Sequence, residues 1–356
     1  MLPAREGDAI WVRWGDTDNP YQMLVDMGTE EVGRLIWQEI SRLPESQRTF
    51  EAVVVTHIDA DHIGGLLSCF VDQEQPSGVL VKDFWFNGYA HLEAKTSTAP
   101  LESLGAVQGE RLTKWLLTQS WNRSFGGDAI CRRDGEPLRT VELPGGMQVT
   151  VLGPTVKRLN ALKPQWEQEI RIATQKAEKR GSNSSLEALG GKRYQDISDI
   201  STLRALAKQR PMRDSKAANG SSVILLLEYE GKRTLLAGDA LADDLADAIS
   251  YYSSSDNLKL DAFKVSHHCS RGNITERLIK AIDCQNWLIS TDGTRHKHPD
   301  DEGVASILYY KSGNAIKLFF NVSSERNEKW SNPTWKSRFN YSAEYGSTEK
   351  GYTLEF

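Results

Sequence analysis

Six of the seven histidines in this 356-residue chain lie in three tight clusters. The clusters pair His57 with His62, His267 with His268, and His296 with His298. Each cluster follows a segment with the apolar, β-branched composition of a strand, namely FEAVVV, DAFKV and NWLIS. Strand ends that meet at one edge of a sheet bring distant side chains together, so we expect the three clusters to form one site.

The first cluster has the residue types of a metal site and reads HIDADHIGG over residues 57–65. Alternate residues of an extended segment face the same side, so His57, Asp59 and Asp61 can point at one ion. His62 begins the turn into a helix, and the two glycines let the backbone pass close beneath the ions. Imidazole combined with carboxylate favours Zn²⁺, Mn²⁺ or Fe²⁺ over Ca²⁺ or Mg²⁺. The alternative is a polar loop without a metal.

Two later segments supply further candidate ligands. Asp239 ends the apolar segment TLLAGD, where a buried carboxylate is costly unless it is paired or metal-bound, so it is predicted to bridge the ions. The alternative is a turn or helix-capping aspartate. In SHHCS one imidazole can bind metal while the other contacts substrate, and His268 rather than His267 is the preferred ligand. His91 is interpreted as an ordinary polar residue.

The third cluster, RHKHP, is assigned to the substrate. It places His296 and His298 on the same side of an extended segment, with Arg295 and Lys297 as flanking cations. Histidine is the natural proton donor near neutral pH, so these side chains would contact a developing oxyanion or protonate a leaving group. A solvated loop is the alternative.

Composition predicts a soluble globular protein, with 39% hydrophobic and 26% charged residues. No apolar run approaches the roughly 20 residues that a membrane span needs. The first residues, MLPAREGDAIW, lack the pattern of a secretory signal, so we expect a cytoplasmic protein without a membrane partner. The four scattered cysteines form neither a disulfide framework nor a CxxC pair, so reduced thiols are expected.

Charge is distributed unevenly along the chain. Between Val156 and Lys216 there are 14 lysines and arginines against 7 acidic residues, a net +7, whereas the rest carries −12 of the total of −5. The polar, helix-forming stretch 157–218 is therefore predicted to be an insertion that suits a polyanionic partner such as nucleic acid. Trp166 and Tyr194 would stack on bases. A charged helical segment that is simply solvated is the alternative.

Strand-like segments outnumber helical ones and are interspersed with them. A hairpin is predicted for DAIWVRW and YQMLVDMG, a helix from Glu30 onward, and further strands up to AIKLFFNV. Other helices are predicted at ERLTKWLLTQSW, TERLIKAI and DEGVASILYYK. This order favours an α/β fold with two packed sheets and helices on the outside.

The motif at 57–65 resembles the HxHxDH signature of the metallo-β-lactamase superfamily. It has the variant HxDxDHxGG, which is similar to the hydrolase domain of the competence DNA-uptake channel ComEC and its soluble relatives. Other segments match in family order and cover nearly the whole chain apart from the insertion. They are GDAI at 7–10, VDMG at 25–28, NGSS at 219–222, LAGD at 236–239, SHHCS at 266–270 and HKHP at 296–299.

The resemblance implies one metallo-β-lactamase αββα sandwich over residues 1–356, with the polar helical insertion within it. It also implies one or two divalent metal ions, Zn²⁺ or Mn²⁺, whose ligands are His57, Asp59, Asp61, His62, Asp239 and His268. Cys269 stands where the family usually has glycine, so it would crowd the loop or add a soft ligand. His91 is the only candidate for a further family histidine between the first cluster and Asp239.

The same resemblance implies a metal-dependent hydrolase, and the insertion favours a phosphodiesterase or nuclease that attacks DNA with a metal-activated hydroxide. Asp61 would orient the nucleophile, while His267, His296 or His298 stabilises charge on the departing oxygen. Candidate substrate contacts are Asn219, Ser222 and Ser270. One alternative is a hydrolase of a small phosphodiester, ester or lactone, with the insertion as a lid. Another is a metal-stabilised binding or sensor protein.

Overall fold

The computed structural model describes residues 1–92, 107–178, 197, 199–209, 213–253 and 257–356. The strands within these ranges are β1 Ala9–Trp14, β2 Tyr21–Met27, β3 Thr49–Phe50, β4 Ala52–Val54, β5 Leu80–Val81, β6 Phe84–Trp85, β7 Thr140–Leu143, β8 Met147–Gly153, β9 Ile224–Tyr229, β10 Lys232–Leu236, β11 Leu258–Lys264, β12 Ile282–Ile289, β13 Ile316–Phe320 and β14 Tyr341–Tyr345. The helices are α1 Glu30–Arg42, α2 Ala60–Leu66, α3 Val107–Leu116, α4 Val156–Glu178, α5 Ile200–Ala207, α6 Ala217–Gly220, α7 Ala242–Tyr252, α8 Glu276–Lys280, α9 Asp301–Tyr310 and α10 Pro333–Phe339.

Two sheets form the centre of the fold. One has the strand order β1-β2-β4-β6, and the other has the order β14-β13-β12-β11-β10-β9-β8-β7. Ile10 and Val25 of the first sheet share a buried cluster with Val149 and Leu225 of the second, so the sheets pack face to face. Helices α1 to α4 pack on the outside of the first sheet, and α5 and α7 to α10 on the outside of the second. The predicted αββα sandwich is therefore confirmed.

Strand direction explains why the histidine clusters converge. Strands β10, β11 and β12 run parallel as neighbours, so the segments that follow them leave the same edge of the sheet. The first cluster follows β4 in the other sheet. Val223 N donates to Thr56 O at 3.0 Å, which ties the start of this cluster to the segment before β9. The site therefore lies across the edges of both sheets.

Helix α1 shows how the apolar periodicity is used. Val32, Ile36 and Ile40 are buried against the outer core of the first sheet, as their helical spacing predicts. Leu35 also has the spacing of an apolar helix face, but it is 42% exposed because it lies to one side of that stripe.

The segment predicted to be an insertion includes α4, α5 and α6. Leu159, Leu162 and Trp166 of α4 pack into the outer core of the first sheet, whereas Leu203 and Leu206 of α5 pack into that of the second. The prediction that Trp166 stacks on bases is wrong, because its side chain is 0% exposed. The other aromatic residue in that prediction, at position 194, lies outside the described residues. No helix in the described ranges is long and apolar enough to cross a membrane.

Replacing Trp166 with alanine is expected to lower the free energy of unfolding by about 3–5 kcal/mol, because it leaves a large cavity in a packed core. Urea unfolding measures this loss. Trp166→Phe, which keeps most of the apolar volume, should cost clearly less. Unchanged stability together with weaker DNA binding would instead restore the stacking role.

Candidate metal centre

Asp239 occupies the middle of the site, in the loop after β10. Its Oδ1 lies 3.4 Å from the Nε2 atoms of both His62 and His268. Its Oδ2 lies 3.8 Å from His57 Nε2 and 3.7 Å from His267 Nε2. The two carboxylate oxygens thus face two different sets of imidazoles, which is the geometry that a bridging carboxylate requires.

Asp59 and Asp61 lie at the solvent-facing side of this group. Asp59 ends the extended segment and is the residue immediately before α2, so Asp61 falls in the first helical turn. Asp59 Oδ2 is 3.8 Å from His57 Nε2, and Asp61 Oδ2 is 3.8 Å from His268 Nε2. The side chain of Asp59 is 32% exposed, so the centre is open to solvent on this side.

The glycines beside the motif have a different role from the predicted one. A Cβ on Gly65 would lie 1.8 Å from Met27 O, so this residue lets α2 pack on β2 rather than making room beneath an ion. The close approach to the ligands is made by Gly7, where φ is +73° and a Cβ would lie 1.5 Å from Asp61 O.

Four buried polar atoms at the centre have no hydrogen-bond partner among the described residues: His57 Nε2, His62 Nε2, His268 Nε2 and Asp239 Oδ1. Buried polar atoms without partners are costly, and one or two cations would satisfy all four. Ligand atoms of His57, His62 and Asp239 lie within 4.8 Å of one another, as do those of Asp61, His62 and His268. The residues therefore fit a divalent metal.

Asp26, at the end of β2, orients two of these imidazoles. Its Oδ2 accepts a hydrogen bond from His62 Nδ1 at 2.8 Å and from Thr56 Oγ1 at 2.7 Å. The Thr56 hydroxyl in turn accepts from His57 Nδ1 at 3.1 Å. With Nδ1 protonated, each imidazole presents Nε2 as the ligand atom. Asp26 was not predicted as a site residue, although it stands in the VDMG segment.

His268 is supported by a different set of groups. Its Nδ1 donates to Ser290 O at 2.8 Å and lies 3.3 Å from Asp8 Oδ1. Asp8 Oδ2 accepts from Lys264 Nζ at 2.7 Å, and both side chains are almost completely buried. Burial alone would raise the pKa of Asp8, but Lys264 holds it well below its usual range. The sequence signal for Lys264 was a lysine inside the apolar segment DAFKVS.

His267 faces the centre from the loop after β11. Its Nδ1 lies 3.1 Å from Asp214 Oδ2 and 3.0 Å from Asn273 Oδ1. Burial lowers the pKa of His267, but the carboxylates of Asp239 and Asp214 outweigh it and raise the pKa to about 9. Neither Asp214 nor Asn273 carried a sequence signal, because their role at the site arises from contacts that form only in the folded protein.

Cys269 completes the same loop and adopts a φ of +67°. The expectation that it adds a soft ligand is wrong. Its Sγ packs against α9, where a Cβ on Gly303 would lie 3.0 Å from it, so Gly303 makes the room. Burial raises the pKa of the Cys269 thiol, and among the described residues this thiol is in no group of clustered metal-ligating atoms.

The third histidine cluster lies beside His267. The ring centroids of His267 and His298 are 5.3 Å apart, and those of His296 and His298 are 6.5 Å apart. Asp300 Oδ1 lies 3.5 Å from His298 Nδ1, but burial lowers the pKa of His298. The structure thus brings the three histidine clusters together at one opening.

Two of the three candidate substrate contacts are buried beneath the site. Asn219 Nδ2 donates to Asp214 Oδ2 at 2.7 Å, and Ser222 Oγ accepts from Asp239 N at 3.1 Å. Both side chains support other site residues rather than facing solvent, which contradicts their prediction as direct contacts. Ser270 is partly exposed next to His267.

His91 lies in a separate hydrogen-bonded environment. Its Nδ1 accepts from Gly88 N at 3.1 Å, its Nε2 lies 3.2 Å from Gly127 O, and its ring packs edge-on against Trp121. Both ring nitrogens have protein partners, so the residue is structural, in agreement with its interpretation as an ordinary polar residue.

An αββα sandwich with an imidazole and carboxylate centre at its strand ends is the arrangement of a metal-dependent hydrolase. Residues 5–68 match the family model of the metallo-beta-lactamase superfamily. The chain is 28% identical over 115 residues to ComE operon protein 3 of Bacillus subtilis (strain 168). The matched segment covers 32% of this chain and 14% of that protein. The chain therefore matches only a small part of the relative's length.

A structural comparison finds Zn²⁺-bound PqqB from Methylobacterium extorquens. That likeness covers 97% of this chain and 87% of the other, with a TM-score of 0.37 and 13% sequence identity.

Proposed function

We propose that this metal-dependent hydrolase is a phosphodiesterase that cleaves DNA. The observation that carries the proposal is the position of the exposed basic residues Arg295 to Lys297 beside the candidate metal centre, where the adjoining His298 packs next to His267. Cationic side chains next to a metal site suit a substrate with a phosphate backbone. The ComEC-type motif and the positive charge of segment 157–218 support the same substrate class.

Two ligand sets are proposed, which share Asp239. His57 and Asp59 lie on its Oδ2 side, whereas His62 and His268 lie on its Oδ1 side and Asp61 adjoins His268. A divalent ion bound there supplies Lewis acidity, which polarises a phosphoryl oxygen and lowers the pKa of water.

The protein side chains supply the rest of the chemistry. Asp61 lies at the open side of the centre, so its carboxylate can accept a hydrogen bond from the attacking water and fix its direction. His267 directs Nε2 into the centre and is proposed to donate a proton to the departing oxygen. His296 and His298 lie next to it and would contact the phosphate.

Cleavage of labelled single-stranded and double-stranded DNA tests this function. With Mn²⁺ or Zn²⁺ present, the wild type is expected to cleave, and Asp61→Ala to lose about a hundredfold or more of the rate, since a positioned nucleophile is lost. Asp247→Ala, at an exposed surface ion pair, is the matched control. No DNA cleavage by a demonstrably metal-loaded wild type would sink the proposal, and turnover of a small diester alone would support the small-substrate alternative.

The insertion is expected to contribute affinity for DNA through its exposed cations. Changing Lys157, Arg171 and Lys208 to glutamine should weaken DNA binding and flatten its salt dependence, because log K falls by about 0.9 per phosphate contact for each unit of log salt. Binding titrations at several salt concentrations measure both effects. A control with Lys259 and Lys317 changed to glutamine should show a smaller change in slope. Equal slopes for all three proteins would remove the insertion from DNA binding.

A further inference from the structure

We propose that the inserted segment is part of the active site, because its C-terminal end supplies Asp214, the residue that positions His267. This inference rests on the proposed function, in which His267 acts on the departing oxygen. Asp214 lies between α5 and α6, within the predicted insertion 157–218. His267 lies 53 residues further along the chain.

The Asp214 carboxylate is held firmly in place. Its Oδ2 accepts from Asn219 Nδ2 at 2.7 Å and from Asn273 Nδ2 at 3.1 Å. Its Oδ1 accepts from Lys216 N at 3.0 Å. The side chain is only 9% exposed, so these bonds are protected from water. Asp214 can therefore hold a partner in one orientation.

That partner is the His267 imidazole. The acceptors near its Nδ1 are Asp214 Oδ2 at 3.1 Å and Asn273 Oδ1 at 3.0 Å, so Nδ1 carries a hydrogen. The Asn219 amide nitrogen is also 3.4 Å away, but it donates to Asp214. With Nδ1 fixed, Nε2 faces Asp239 Oδ2 at 3.7 Å. A buried carboxylate that fixes the tautomer and direction of a histidine is how a proton donor is positioned.

Asn273 fixes the amide orientation that this arrangement needs. Its Nδ2 donates to Ala240 O at 3.1 Å as well as to Asp214, which leaves Oδ1 directed at His267. The network therefore joins the insertion, the segment after Asp239 and the histidine loop.

The test compares Asp214→Asn with the wild type on two thymidine 5′-phosphate diesters that differ in their leaving group. One diester releases 4-nitrophenolate, which departs without being protonated. The other releases phenolate, a poorer leaving group whose departure depends more strongly on proton donation. Since general acid catalysis contributes about 10²–10⁴-fold, kcat for the phenyl ester should fall at least about tenfold more than kcat for the 4-nitrophenyl ester. KM and bound metal should stay close to those of the wild type. Asp199→Asn, an exposed helix-capping aspartate in the same insertion, is the matched control.

A second readout does not depend on activity. NMR of the metal-free wild type with ¹⁵N-labelled histidine should show the Nδ1 proton of His267 protected from exchange with water. The signal is assigned by its loss in His267→Gln. Asp214→Asn should lose the same signal. Equal losses of kcat on both esters, or an unchanged Nδ1 proton, would overturn the inference. DNA cleavage by the wild type is measured separately. A protein that hydrolyses the esters but not DNA refutes the proposed substrate, and the comparison of the two esters then still tests the role of Asp214.

Discussion

Asp239→Asn is expected to abolish metal-dependent hydrolysis. Both oxygens of Asp239 face imidazoles, and its Oδ1 has no hydrogen-bond partner in the part of the chain that the structure describes. An amide keeps the shape but offers one neutral oxygen, so it cannot join two ligand sets. A metal ion supplies several kcal/mol of transition-state stabilisation, and a loss of about 4 kcal/mol corresponds to about a thousandfold in kcat.

Metal content and thermal stability show whether that loss arises from the metal centre. A ligand that binds only the folded state at 100 times its Kd stabilises it by about 2.7 kcal/mol, so metal should raise the Tm of the wild type but not that of Asp239→Asn. Asp247→Asn, at an exposed ion pair with Arg277, should behave like the wild type in both assays. A variant that retains the full metal-induced rise in Tm would show that Asp239 is not a ligand.

Lys264→Met is expected to cause a large loss of stability. The change removes the cation from a buried pair and leaves the Asp8 carboxylate without its lysine partner, near the carboxylates of Asp26 and Asp239. Breaking one side of a buried ion pair costs about 3–5 kcal/mol, which is a large part of a total stability of about 5–15 kcal/mol. Urea unfolding in the presence of a chelator measures the loss.

A second variant keeps this prediction testable if Lys264→Met fails to fold. The double variant Asp8→Asn with Lys264→Met removes both charges, so it should recover most of the lost stability. Lys232→Met, which breaks the exposed pair with Asp261, should cost less than about 1 kcal/mol. Equal losses for the buried and the exposed pair would contradict the argument.

The sequence allowed the main elements and the location of the centre to be predicted, because both depend on local patterns. The apolar strands before His57 and His267 are visible in the residues themselves, whereas their placement in two different sheets is not. Helix α7 and strand β14 were not predicted, and the helix predicted at 275–282 ends at Lys280, where the chain turns into β12. A short apolar segment fits a helix or a buried strand equally well until its neighbours are known.

The residues that support the ligands were harder to predict. Asp8 and Asp26 lie in segments that resemble the metallo-β-lactamase superfamily. Nothing in the neighbouring sequence indicates that they contact imidazoles. Trp166 was assigned to a substrate surface because aromatic and basic residues occur together there, but helix α4 turns that side chain into the core. Burial depends on which face of a helix meets the rest of the protein.

The sequence by itself determined the chemical character of this protein: imidazoles and carboxylates at strand ends, in the order of the metallo-β-lactamase superfamily. Only the tertiary structure decided how those groups are used. It directed the Nε2 atoms of His57, His62 and His268 toward one space. It also paired Asp8 with Lys264 across 256 residues and placed Asp214 against His267. Side-chain types follow from the chain, whereas contacts between distant segments exist only once the two sheets have packed.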